Sequence, residues 1–364
     1  MFNACIVGAG SIGALKPDEF DSPKTENILT HAHALYHFKE MGRINEFFIV
    51  DKDYKKKQEA KEKWHCKTFS NLKSLKIQTT NIDIFVIAVP TEYHKDVIDE
   101  ILENFNPKMI IVEKPFCYNY REALQVYQKC MKREIVLVVN YTRRFCLSIQ
   151  SLKNEFDCLK YGKIKACNIL YVRGFIRDAC HAIDLCNYFF GEFRQGNILG
   201  NRMNSYEDYS KDDLTLPVWM EFENCPNVYF TPIDGNDMSI FEFDILTEQA
   251  RIQLVDHFRQ TKIYEKNDSC IYGNFSSLSY ENVSVFDNNL ETSLYYLYFN
   301  SFAYLKGQNK QLISSGRDAL KVQEIYRRLG IEKEKHSCVK EIDKVTDHFG
   351  LFIRNGFRKF RSLE

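Results

Sequence analysis

The first residues with a type and spacing suited to chemistry are Gly8-Ala9-Gly10-Ser11-Ile12-Gly13, directly after the apolar run Phe2 to Val7. A G-x-G-x-x-G order at the end of a strand permits a tight turn and lets backbone N–H groups approach a pyrophosphate. Asp51 closes the next apolar run, Phe47 to Val50. An acid there accepts hydrogen bonds from an adenosine ribose and repels a 2′-phosphate, which selects NAD and leaves NADP as the alternative. Asp51 lies 38 positions after Gly13, against a usual separation of about 20. A polar stretch at 14–29 containing Pro17 and Pro23 reads as an inserted loop and accounts for most of the excess. Lys52, Lys55, Lys56 and Lys57 follow closely, either softening the preference for NAD or forming a solvated helix face.

Further along come Ala88-Val89-Pro90 with His94, then Glu113-Lys114-Pro115. Each triplet ends an apolar run, the edge at which doubly wound sheets bind ligands. A partly desolvated Lys114 can hold a substrate oxygen or lose its proton and act as a base. Pro115 stiffens the turn and admits a cis peptide bond. The backbone of Ala88 and Pro90 would pass under a cofactor; His94 either contacts it or caps and packs its helix. Glu113 either bonds the nicotinamide ribose or pairs with a lysine. His181, in a run that reads as a helix over 178–190, is suited to proton transfer near neutral pH, with Asp184 three residues on. Arg143, Arg144, Arg173 and Arg177 either bind a phosphate or carboxylate or make structural ion pairs.

These residues require a scaffold, and its pattern is legible. Phe2–Val7, Phe47–Val50, Ile82–Val89, Met109–Val112 and Ile135–Val139 read as buried strands. Helices fit His31–Met41 (capped by Thr30), Tyr54–Trp64, 97–105 and Glu122–Met131. Such alternation predicts an α/β doubly wound parallel sheet over about the first 140 residues. Later runs at Ile164–Val172, Leu214–Phe222, Val228–Phe230 and Ile240–Leu246, with helices near 178–190, 290–306 and 316–329, predict an α+β domain on a largely antiparallel, open-faced sheet. The expected division is a dinucleotide-binding Rossmann domain over 1–118, a substrate and oligomerisation domain over 119–335, and a tail over 336–364. The boundary is soft between Phe116 and Phe145, and the tail reads as a packed amphipathic helix.

Together, Gly8 to Gly13, Ala88-Val89-Pro90 with His94, Glu113-Lys114-Pro115, Asn140 with Arg143-Arg144-Phe145, His181-Ala182-Ile183-Asp184-Leu185 and Ser314-Ser315-Gly316 resemble the Gfo/Idh/MocA family of NAD(P)-dependent oxidoreductases, over roughly residues 1–330. The resemblance implies hydride transfer with a sugar or nucleotide-linked sugar, Lys114 beside the nicotinamide and the reacting hydroxyl, His181 as proton relay, and a homodimer or homotetramer. Many members carry an Asp four residues before this His, where this chain has Arg177. Asp178 stands one residue later, turned about 100° on a helix. Arg173 to His181 instead resembles a branch without that Asp, associated with bacterial surface-polysaccharide pathways. Arg144, Arg173, Asp178 and Asp184 are the expected substrate contacts.

Composition narrows the field. Lys plus Arg equals Asp plus Glu at 49 each, so no global field draws the chain to nucleic acid or an anionic membrane. No run approaches ~18 uninterrupted apolar residues, and the N-terminus lacks a basic leader. Twelve scattered cysteines without a C-x-x-C pair read as reduced thiols in a cytoplasmic protein, with no metal site expected. Two alternatives remain open: a glycosidase using bound NAD for transient oxidation, and a non-catalytic NAD-binding regulator.

Overall fold

Short runs of β-branched and apolar residues, too short for helices and buried on both sides, build the first half of the chain. The structure, a computed structural model, describes residues 1–200, 213–267 and 276–332. In chain order come β1 (Phe2–Val7), α1 (His31–Glu40), β2 (Ile44–Val50), α2 (Tyr54–Trp64), β3 (Lys67–Phe69), α3 (Leu72–Gln78), β4 (Ile84–Ile87), α4 (His94–Asn104), β5 (Met109–Val112), α5 (Tyr120–Lys132) and β6 (Val136–Val139). The six strands are parallel, in the order β3-β2-β1-β4-β5-β6. The order reverses between β1 and β4, opening a crevice at their carboxyl ends.

The second half is built from α6 (Leu147–Asp157), β7 (Ile164–Tyr171), α7 (Ala179–Phe190), β8 (Phe193–Ile198), β9 (Val218–Phe222), β10 (Cys225–Pro232), β11 (Glu242–Thr247), β12 (Ala250–Val255), β13 (Gln260–Asn267), β14 (Ser277–Asp287), α8 (Ser293–Leu305) and α9 (Gly316–Leu329). Its eight strands lie in the order β14-β13-β12-β11-β7-β10-β9-β8. Every adjacent pair is antiparallel except β7 with β10. Buried and more open positions alternate along β7, β11 and β12, the signature of a sheet covered on one face.

The last two helices return to the first sheet. Phe302 of α8 stacks on Phe2, and Tyr295 on Phe38 of α1. Leu297 and Tyr298 are fully buried in the same cluster; each such side chain stabilises the fold by about 2 kcal/mol. Ser315 pairs with Val138 of β6, and the Ser314 hydroxyl donates to Val139 O. The boundary expected at residue 118 is therefore corrected: β6 belongs to the first sheet, and residues 1–332 form one compact unit. The expected 336–364 tail lies outside the described residues. Among those residues, no helix is long and apolar enough to cross a membrane, no cluster of three or more His, Cys, Asp or Glu is placed to hold a metal, and ten cysteines are unbridged.

Candidate active site

β1, β4 and β5 are neighbours, so the three short motifs that end them lie side by side. Gly8 adopts φ +106°, and a Cβ there would stand 2.5 Å from Ala88 O. A Cβ on Gly13 would stand 2.0 Å from Gly8 O, whereas one on Gly10 would meet open space. The outer glycines thus close the turn against Ala88, and the middle one faces the crevice. The Gly8 and Ala9 amides are used within the fold, donating to Val50 O and, over 2.7 Å, to Asp51 Oδ2. The amides of Gly10, Ser11, Ile12 and Gly13 find no acceptor among the described residues. Consecutive amides of this kind suit a pyrophosphate, and Asp51 beside them suits a ribose. The residues present therefore fit a dinucleotide.

No helix follows the turn directly. The inserted stretch intervenes, and α1 starts at His31, with Thr30 as its cap. Its first amides reach back to the turn, His31 N to Ile12 O and Ala32 N to Gly13 O. Asp21 anchors the insertion: it is fully buried and accepts from Leu29 N, Thr30 Oγ1 and His33 Nδ1 at 2.7–2.8 Å.

Glu113 and Lys114 end β5 and point to different surroundings. Glu113 is buried, and its Oε1 lies 2.8 Å from His31 Nε2 and 2.6 Å from Asn140 Nδ2. His31 Nδ1 is in turn 2.9 Å from the Tyr298 hydroxyl. Burial alone would raise the Glu113 carboxyl, but His31 and Asn140 hold it below its ordinary value. Of the two roles open to Glu113 in the sequence, pairing is what the fold makes of it, with histidine and asparagine in place of lysine.

The expectation for His94 needs the same correction. Its ring is buried with Nδ1 3.0 Å from Phe116 O and Nε2 2.9 Å from Val89 O, leaving no nitrogen for a cofactor. It ties the turn after β4 to the loop after β5. The Lys114–Pro115 peptide in that loop is cis. Ala88 lies under the glycine turn, and Pro90 is exposed.

Lys114 faces a cavity of about 230 Å³ lined also by Arg143, Arg173, Asp178, His181, Ser239, Phe241 and His257. Its Nζ donates to Arg177 O over 3.2 Å. His181 is buried, with edge contacts to the Tyr141 and Phe241 rings, and its Nδ1 has no hydrogen-bond partner among the described residues. Burial, reinforced by Lys114 and Arg143, holds its pKa well below the usual imidazole value. The ring is neutral at pH 7, the form that accepts a proton. Asp178 sits at the start of α7, and burial raises its carboxyl against the pull of Lys114 and three arginines.

Arg144 and Asp184 are corrected from substrate contacts to a structural pair. Arg144 Nε meets Asp184 Oδ2 at 2.7 Å; Nη2 donates to Asp184 O and Nη1 to Ile313 O. Both side chains are buried away from the cavity, because successive residues of the 3₁₀ turn Thr142–Phe145 diverge. Burial lifts Asp184 to about 7 even against that cation.

Comparison with known proteins bears on this arrangement. The family model described as "Oxidoreductase family, NAD-binding Rossmann fold", that of Gfo/Idh/MocA, matches residues 2–141. Over these residues the chain is similar to the Gfo/Idh/MocA family. Scyllo-inositol 2-dehydrogenase (NAD(+)) of Bacillus subtilis is 30% identical over 172 residues, covering 41% of this chain and 47% of that one, so the match spans about half the relative's length. The WlbA dehydrogenase of Bordetella pertussis, solved with NADH and UDP-GlcNAcA, superposes with a TM-score of 0.65 at 14% identity, over 90% of this chain and 95% of that one. A super-repressor mutant of Gal80p from Saccharomyces cerevisiae superposes with a TM-score of 0.68 at 14% identity, again over 90% and 95%. These likenesses show a shared fold that includes the second sheet.

Several polar residues escaped the sequence as site residues: His31, Tyr298, Asp213 and His257. Asp213 is buried and accepts from Ile176 N and Arg177 N, shaping the loop that carries Asp178. His257 belongs to a turn, Asp256-His257-Phe258, with three successive positive φ values (50°, 54° and 72°) and no glycine. Conformations of this kind cost about 1–3 kcal/mol each and persist where the surroundings impose them. Asn288 Nδ2, donating to Phe258 O over 2.8 Å, is one such restraint. A lone His before an aromatic carries no sequence signal for it.

Proposed function

We propose that the protein is an NAD-dependent dehydrogenase or reductase that moves a hydride between nicotinamide and a carbinol or carbonyl carbon of a sugar or nucleotide-linked sugar. When bound, the dinucleotide supplies C4 of its nicotinamide as hydride acceptor or donor. The glycine turn would hold the pyrophosphate, Asp51 the adenosine ribose, and the strand ends at Ala88 and Lys114 would flank the nicotinamide. In the oxidising direction Lys114 orients the substrate hydroxyl and His181 Nδ1 accepts its proton. The C–H bond gives up its electron pair as hydride, and a carbonyl remains.

One observation carries this reading. A neutral imidazole with an unpartnered nitrogen shares a cavity with Lys114, at the strand ends of a nucleotide-binding sheet. Relatives named as an inositol dehydrogenase and as a UDP-GlcNAcA-bound dehydrogenase support a polyol or sugar substrate. The same reading assigns the protein to bacterial surface-carbohydrate synthesis in the cytoplasm, as a homodimer or homotetramer built through the open sheet face. A monomer by sedimentation at micromolar concentration contradicts that last assignment.

The test is NADH absorbance against a panel of sugars, inositols and nucleotide-sugars, in both directions. Turnover that survives Lys114→Ala overturns the mechanism. NADH binding with no turnover of any panel member favours a regulator, the role that the repressor name of Gal80p suggests.

A further inference from the structure

Adjacent arginines in one turn have opposite fates. All three nitrogen positions of Arg144 are occupied by Asp184, Asp318 or Ile313 O. Arg143 has no carboxylate within 4 Å among the described residues, and its Nε is buried without a partner. Its guanidinium lies 4.4 Å from the Phe241 ring centre and 5.2 Å from that of Phe258. Stacking on ring faces satisfies the flat sides of a guanidinium and leaves its in-plane N–H edge for a planar, bidentate acceptor. Burial costs this cation enough to pull its pKa down to about 10. A desolvated cation held so expensively needs a partner that arrives from outside.

The walls around it agree. Lys114, Arg143 and Arg173 line the cavity against one carboxylate, Asp178, whose own ionisation burial disfavours. The left-handed turn at 256–258 sets Phe258 under Arg143 and His257 on the same cavity wall. At about 230 Å³ the space lies below the ~300–1,000 Å³ of drug-sized ligand pockets and suits one monosaccharide ring.

We propose that this cavity selects a substrate whose sugar ring carries a carboxylate, held by Arg143 with His257 beside it, while Lys114 and His181 address the reacting carbinol. The placement of the reacting carbon rests on the dehydrogenase reading; the carboxylate site rests on Arg143 and its surroundings.

The full-length protein with NAD is assayed on matched pairs, D-glucuronate against D-glucose and D-galacturonate against D-galactose, with D-glucose 6-phosphate as a non-carboxylate anion. Calorimetric titration of each compound into the NADH complex reads binding without turnover. The expected wild-type preference in kcat/KM for the acid of a pair is at least ~30-fold, the usual cost of leaving one member of a desolvated charge pair alone. Arg143→Met collapses that ratio, Arg143→Lys restores part of it, and His257→Gln lowers it by less. Arg143→Lys keeps the test valid should Arg143→Met fail to fold.

A ratio near one in wild type, a ratio unchanged in both Arg143 variants, or a stronger Arg143-dependent preference for glucose 6-phosphate each overturns the proposal. Uronate binding that depends on Arg143, with no oxidation of any sugar, upholds the carboxylate site and sinks the dehydrogenase reading. Oxidation of glucose without preference for its acid does the reverse. Absence of both uronate binding and turnover sinks both.

Discussion

Glu113 and Lys114 are adjacent in sequence and belong to two differently built polar regions. Around Glu113, Tyr298, His31 and Asn140 form a buried chain in which each contact meets a partner at 2.6–2.9 Å. Around Lys114, His181 Nδ1 and Arg143 Nε are buried without hydrogen-bond partners among the described residues. Buried polar groups in native proteins are nearly always satisfied, so a cluster of exceptions on one side of a residue is informative. The satisfied region stabilises; the unsatisfied region forgoes stability and keeps donors and acceptors for a ligand. The variants below separate the two, since holding residues govern unfolding and waiting residues govern turnover.

The largest expected effect is on the waiting side. Lys114→Met should lower kcat by about 10³–10⁴-fold, the range for lost positioning and proton transfer at a reacting oxygen. The melting temperature should stay within a few degrees, because the lysine makes one carbonyl contact. A drop in melting temperature matching that of a Glu113 variant would erase the distinction between the regions.

On the holding side, His31→Ala leaves a buried carboxylate and a buried phenol each short of a partner. It should cost about 3 kcal/mol in urea unfolding, while any retained activity keeps its KM for sugar. Asp51→Ala is intermediate. The carboxylate accepts Ala9 N within the fold and is placed for ribose hydroxyls. NADH should bind ~10–100-fold more weakly, about 1.4–2.8 kcal/mol, with discrimination against NADPH reduced. Unchanged discrimination would remove Asp51 from the nucleotide site.

How much of this was readable beforehand follows the same divide. The glycine turn, Asp51, the cap at Thr30 and the end of β5 are local patterns, and the sequence shows them. The β3 strand at Lys67–Phe69 has three residues and no apolar run. The β12 to β14 strands carry charge on an open face, which blurs a period of two. Contacts such as His31 with Tyr298, 267 residues apart, leave no local trace. Arg143 and Arg144 are identical in type and adjacent; only the turn that points one inward to Asp184 and the other to the cavity tells them apart. Residue type and spacing name the chemistry, and the return of distant chain decides which members of each pair perform it.

The smallest effect sharpens the comparison through pH. His181 has a folded pKa well below 6.5, chiefly from burial and then from Lys114 and Arg143. Below pH 6.5 the unfolded chain therefore takes up a proton on this residue that the folded chain refuses, and stability falls as pH falls, by up to ~1.4 kcal/mol per unit. Asp184, lifted to about 7, works in the opposite sense between there and 3.8, because the folded chain holds the extra proton. The two slopes offset each other in the wild type, so its own profile is a poor witness. The difference between His181→Gln and wild type isolates the imidazole. The variant should gain on wild type by roughly 1 kcal/mol as the pH of a urea titration drops from 6.5 to 5.5, and match or exceed it at pH 7.5, where a buried unpartnered nitrogen has been replaced. A constant difference across that range would mean that His181 already finds a partner in solution, and the waiting side would lose its proton acceptor.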